Sequence, residues 1–241
     1  MEMDSYLSLI RTDAAALATA ARGRLADPVP SCPGWTVADL VDHVGHVYLH
    51  KIECIRQQRD PEPWPPPPHD KDPIDRLEAA TQEMLAELAE CGPDAPSYTW
   101  HEPDQTVGFW YRRMAQETAV HRADAELAVG AAGPVDSDLA LDGVDELLDV
   151  FFAGDWSDLP KPDLVGRVGL RSADRSWLVV MDPEEVRIEP LAGDNADAVV
   201  SGEPSDLLLW LWGRLPAETV QVAGDAGAVD RLRRRLVLAT Q

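Results

Sequence analysis

Cysteine is sparse in the 241 residues: Cys32, Cys54 and Cys91 form an odd set at wide spacings, with no CxxC pair. That excludes a disulfide framework and leaves each thiol reading as a small, reduced, packed side chain. Basic residues are short too, with 21 Lys+Arg against 43 Asp+Glu and a formal net charge of −22 at pH 7. Such a surface repels phosphate backbones and anionic bilayers, so neither nucleic acid nor membrane is an expected partner. No apolar run approaches the roughly 20 residues of a spanning helix, and no basic amphipathic helix is present. The amino terminus, MEMDSYLSLIRTDAAALATAARGR, places acid ahead of its apolar residues and lacks the basic lead of a secretory signal. A soluble, cytoplasmic protein is the expectation. GxGxxG and P-loop motifs are missing, which leaves a nucleotide cofactor without support, and there is no GxSxG nucleophile elbow.

What is present divides by texture. Residues from about Tyr6 to Leu25 are Ala- and Leu-rich and free of proline, which predicts a first helix. The segment 28–34 breaks it, and a second helix is predicted from Trp35 to about Arg59, with Thr36 as N-cap and Asp39 in its first turn. Residues 60–68, DPEPWPPPP, read as an extended linker because successive prolines remove donors. A third helix is predicted from Asp72 or Pro73 to Glu90 and a fourth from Thr106 to Val129. One more helical stretch, near Asp138 to Phe152, precedes short runs bounded by Gly, Pro and Asp. Strands are predicted at 164–170, 177–181, 185–189, 198–200 and 219–223, with helices at 201–213 and 225–238. Four helices followed by an αβ segment define an α+β chain, read as a helical bundle over 1–135 and a small α/β domain over 136–241.

The fourth helix carries the chemistry. At about 100° per residue, Val107, Trp110, Met114, Glu117, His121 and Ala125 share its apolar stripe, with Arg112 and Gln116 well away from it. A carboxylate and an imidazole four residues apart on a buried face need compensation. A divalent metal supplies it, since side chains at i and i+4 project to a common point. The second helix offers His43, His46 and His50 at i, i+3 and i+7, of which His43, between Leu40 and Val47, sits nearest the apolar side. The residues alone leave another outcome open: Glu117 and His121 bonded to each other or to Arg113, with the histidines of the second helix solvated.

Three blocks, VPSCPGWTVADLVDHVGH (29–46), RMAQETAVHRADAE (113–126) and SGEPSDLLLWLWGR (201–214), closely resemble the mycothiol-dependent maleylpyruvate isomerase family, in order and across nearly the whole chain. The resemblance implies a DinB-like four-helix bundle holding a divalent metal, usually zinc, and a carboxy-terminal domain of sterol-carrier-protein-like type. The family's His…Glu-x3-His triad falls on His43, Glu117 and His121. The chain departs from its relatives at Gln116, where they often have His, and at Ala123, where they often have Trp. Neither position is a ligand, but both bear on the pocket wall, so substrate identity stays open.

Three protein ligands around zinc leave a fourth position, where a thiol is deprotonated at neutral pH. In the isomerase, the resemblance implies that mycothiol adds to a cis double bond, the new single bond rotates, and elimination leaves the trans isomer. The same chemistry on another electrophile is S-transfer. The expected partners are therefore a small-molecule thiol and an electrophilic substrate. A non-catalytic metal- or ligand-binding protein and a hydrolase using a metal-bound water are the competing readings. Arg113 and Arg122, flanking the Glu/His pair, are candidates to hold substrate carboxylates, with surface pairing to acids as the alternative. Cys32 reads as a packed thiol in a turn, and the role of Asp124 is open. Trp35 and Trp110 are expected in the bundle core, and Trp210 and Trp212 in the second domain.

Overall fold

The computed structural model describes residues 1–62, 64, 72–130 and 132–240. It is an α+β chain that divides into two units, Met1–Gly133 and Pro134–Gln241. The first unit is a bundle of α1 (Met3–Ala21), α2 (Val37–Gln57), α3 (Pro73–Cys91) and α4 (Val107–Ala128). Helix α2 starts where Thr36 and Asp39 form a reciprocal capping box, which satisfies two otherwise orphaned amides and is worth about 1 kcal/mol. Helix α3 starts at Asp72, whose carboxylate accepts from the Ile74 amide, with Pro73 in the first turn where its missing N–H costs nothing. Of the expected linker 60–68, residues 63 and 65–68 lie outside the described residues.

Helix α4 packs against α1, α2 and α3. This corrects the one-stripe reading: Gln116, expected to point away from the apolar face, is buried, as are Arg113, Thr118, Arg122 and Asp124. A helix with neighbours on three sides has no solvent face for polar residues to mark. Several of its polar groups are matched by neighbouring elements instead. Trp110 Nε1 donates to Ser97 Oγ at 2.9 Å, Tyr111 donates to the Leu88 carbonyl at 2.8 Å, and the Tyr48 and Thr118 hydroxyls bond to each other. Trp110 is in the core as expected. Trp35 is not; it precedes the N-cap of α2, and its half-buried ring lies 5.0 Å from that of His43.

The second unit opens with α5 (Ser137–Glu146), which passes into a π-helical segment, Leu147–Phe152, closed by the Ala153 amide on the Leu148 carbonyl at 2.7 Å. The predicted single helix is therefore two kinds of helix. Six strands follow: β1 (Gly154–Asp155), β2 (Gly166–Ser172), β3 (Arg175–Met181), β4 (Glu185–Glu189), β5 (Ala198–Ser201) and β6 (Gln221–Gly224). Their order is β1-β4-β3-β2-β5-β6, with β2 and β5 parallel and every other pair antiparallel. Two-residue β1 was not expected, because it is too short to alternate. Helix α6 (Pro204–Leu211) packs on α5, and α7 (Ala226–Ala239) on β2 and β5. Trp210 is buried and Trp212 half-buried. Gly224, at φ +97°, is obligatory: a Cβ there would lie 2.5 Å from the Asp197 carbonyl oxygen, too close for any side chain.

Candidate metal centre and its cleft

Helices α2 and α4 bring three ligand-type atoms together. Glu117 Oε1 lies 3.2 Å from His43 Nε2 and 3.2 Å from His121 Nε2, and the two imidazole rings meet edge-on with centroids 5.1 Å apart. Among the described residues this is one of two groups whose donors converge closely enough to hold an ion. The spacing fits the group tested: ligand atoms at about 2.0–2.1 Å from a tetrahedral zinc are separated by about 3.3 Å. The donor set, two imidazoles and one carboxylate, is also that of catalytic zinc sites.

The carboxylate is oriented by division of its oxygens. Oε1 faces both histidines, while Oε2 accepts from Arg113 Nη2 at 3.3 Å. Burial pushes the Glu117 pKa up, but His121, His43 and Arg113 together hold it well below the usual carboxylate range. It is a fixed anion. His121 is oriented from behind by Asp124, fully buried, whose Oδ2 lies 2.8 Å from His121 Nδ1. That carboxylate also accepts from Ser31 Oγ at 2.5 Å and has the Cys32 thiol 3.8 Å away. With Nδ1 donating to Asp124, Nε2 is the nitrogen left to face Glu117, which is the arrangement that supports a metal-bound histidine. Without an ion, both ring nitrogens carry protons: desolvation opposes the charge, yet Glu117 and Asp124 raise the His121 pKa to about 9.

The proposed carboxylate holders lie differently. Arg113 is committed to Glu117, and Arg122 is buried in ion pairs with Asp13 at 3.0 Å and Glu126 at 2.6 Å. Solvent reaches the triad from the α2 side, where the His43 side chain is 37% exposed. There a cleft of about 560 Å³ has Trp35, Asp39, Asp42, His43, His46 and Trp64 in its wall. Sequence reasoning did not find this wall, since Trp64 comes from the proline-rich stretch and joins α2 only through folding. Ser31 was missed as well; His-x-x-Asp at 121–124 was the available signal for Asp124, but nothing in the sequence tied Ser31 to it.

The second convergent group lies further along α2. His50 Nδ1 is 3.5 Å from Cys54 Sγ and 3.1 Å from Lys51 Nζ, and His50 Nε2 is 3.4 Å from Asp60. Burial pushes the Cys54 thiol up to about 11 and pulls the His50 and Lys51 pKa values down.

Fold, triad and cleft define a chain with a helical bundle that carries a convergent His/Glu triad, followed by an αβ unit. Family comparison is specific: the mycothiol maleylpyruvate isomerase N-terminal domain matches residues 7–126 and the carboxy-terminal domain of the same family matches 138–231. The chain belongs to the mycothiol-dependent maleylpyruvate isomerase family. Among solved structures it is similar to a mycothiol-dependent maleylpyruvate isomerase (TM-score 0.61, 14% identity, covering 94% of this chain and 95% of that one). A histidine-to-alanine mutant of such an isomerase gives TM-score 0.58 and 13% identity over the same shares. Identities this low carry the fold. No curated protein matches. Among the described residues, no helix is long and apolar enough to cross a membrane.

Proposed function

We infer that this protein is a divalent-metal enzyme, zinc being the ion its donors suit best, that activates a low-molecular-weight thiol such as mycothiol for addition to a small electrophile. Family membership favours a cis/trans isomerase of the maleylpyruvate type, and S-transfer is the same addition without the later elimination. The observation that carries the reading is the convergence of His43 Nε2, Glu117 Oε1 and His121 Nε2 beside an open cleft. An ion held there supplies the positive charge that lowers the pKa of an entering thiol, making thiolate available at neutral pH.

The chain's own groups have distinct tasks. His43, Glu117 and His121 hold the ion; Arg113 keeps the second Glu117 oxygen turned away from it; Asp124 fixes the His121 tautomer. Arg122 serves the bundle rather than the substrate, because it is buried and paired to Asp13 and to half-buried Glu126. The test begins with elemental analysis of protein purified without added metal, alongside His43→Ala and Glu117→Ala. One equivalent in the parent and loss in both variants supports the triad; unchanged content in both refutes it. A cobalt-substituted sample then reports thiol binding: a visible spectrum indifferent to added mycothiol rules out the thiol mechanism.

A further inference from the structure

We propose that the cleft beside His43 selects an electrophile bearing a positively charged ammonium group and disfavours carboxylates, which sets its substrate apart from the dicarboxylates that the family name denotes. The proposal rests on the thiol-addition reading above and names the substrate class for it.

The wall supplies the argument. Its ionisable side chains are Asp39, Asp42, His43 and His46, and neither lysine nor arginine contributes to it among the described residues. Asp39 is a permanent anion in a fixed place, since its Oδ2 accepts from both the amide and the hydroxyl of Thr36, and these bonds hold its pKa below the usual value. Asp42 is ion-paired to Arg76, so the charge of that guanidinium is already met. The two arginines that sequence reasoning offered to a substrate are bound to Glu117, Asp13 and Glu126. Apart from an ion held by the triad, a carboxylate entering here gives up water and finds acids rather than bases in the wall.

A quaternary or primary ammonium meets the opposite conditions. Trp35 and Trp64 present indole surface, the aromatic face that attracts cations most strongly, and Asp39 adds a full negative charge. Aromatic side chains lining a pocket are what recognise quaternary ammonium ligands in aromatic cages. At about 560 Å³ the cleft is of the size that small-molecule sites occupy. In the reaction itself the thiol S–H adds across the C=C bond: sulfur bonds one carbon, the π pair moves to the other, and that carbon takes the proton, with no oxidant or reductant required.

The experiment uses two matched series. Succinimides carrying N-(2-trimethylammonio)ethyl, its uncharged isostere N-(3,3-dimethylbutyl), or N-(2-carboxyethyl) cannot react, so their affinity for the full chain, read by calorimetry, isolates recognition. The corresponding maleimides, with mycothiol and corrected for the uncatalysed rate, read kcat/KM. The ammonium compound is expected to bind about tenfold more tightly than the carboxylate, with the isostere between them. Trp64→Ala, outside any helix, and Asp42→Asn narrow that gap. Equal or tighter binding of the carboxylate overturns the proposal, as does failure of all three succinimides to bind. If the succinimide order holds but no maleimide turns over with thiol, the enzymatic reading fails and the ammonium preference of the cleft stands. If thiol-dependent turnover is found with the reverse order, only this inference falls.

Discussion

Helix α2 contributes to two clusters of metal-type donors, the first shared with α4, and they differ in how their donors are supported. In the first, His43 and His121 face one oxygen of Glu117, a guanidinium holds its other oxygen, and a fully buried carboxylate stands behind one imidazole. In the second, the thiol of Cys54 is only 1% exposed and hard to ionise, an ammonium sits 3.1 Å from the imidazole it shares, and the Asp60 side chain is 58% exposed and weakly held. A cation entering the first cluster meets a fixed anion and oriented nitrogens. A cation entering the second must displace a thiol proton beside a lysine. Groups that set charge and tautomer, rather than the donors alone, distinguish the two clusters.

Ways to break this contrast can be ranked by expected effect. Glu117→Gln removes the central anion, and bound metal should fall from about one equivalent to below about a tenth after dialysis, measured by elemental analysis. Asp124→Asn keeps the three donors and removes their support, so metal affinity should drop about 10- to 100-fold by competition with a chromophoric chelator. Full affinity in that variant would mean that the supporting shell does not distinguish the clusters.

A pH series sharpens the same point. In metal-free protein the His121 pKa is raised from 6.5 to about 9, so its ion pairs stabilise the fold fully below about pH 6.5 and that contribution fades as pH rises through about 9. Urea midpoints should show this decline in the metal-free form and lose it on metal loading, when a proton no longer occupies Nε2. The smallest effect belongs to the second cluster: Cys54→Ala should leave metal stoichiometry unchanged. In the parent, Cys54 should react with a disulfide reagent more slowly than Cys32 and Cys91, both partly exposed.

Much of this was readable before folding, for identifiable reasons. The cap at Thr36 and Asp39 is a local signal with a local cause, and strand 185–189 is an isolated run between turn residues, so both came out as the structure has them. The shared face of Glu117 and His121 was legible because α4 places them one turn apart whatever surrounds them. The surroundings were not legible. Periodicity assumes one wet face, and α4 has none; Gln116 therefore looked peripheral and Arg122 looked available to a substrate or to surface acids, and both are buried. Trp35 looked like core because tryptophans usually are, but its place outside the N-cap puts it in a cleft wall. The cleft itself joins residues from 34 to 64 through tertiary contact, which no spacing rule reports.

The carboxylate of Asp124 grips both the imidazole of His121 and, through Ser31, the turn that leads into α2. That turn ends in the indole at position 35, itself packed on His43. One buried carboxylate therefore links His121 to an aromatic wall of the cleft, so an ion taken up by the triad is expected to be felt at that wall. Emission from that indole is the expected readout of ion binding, seen against seven other tryptophans.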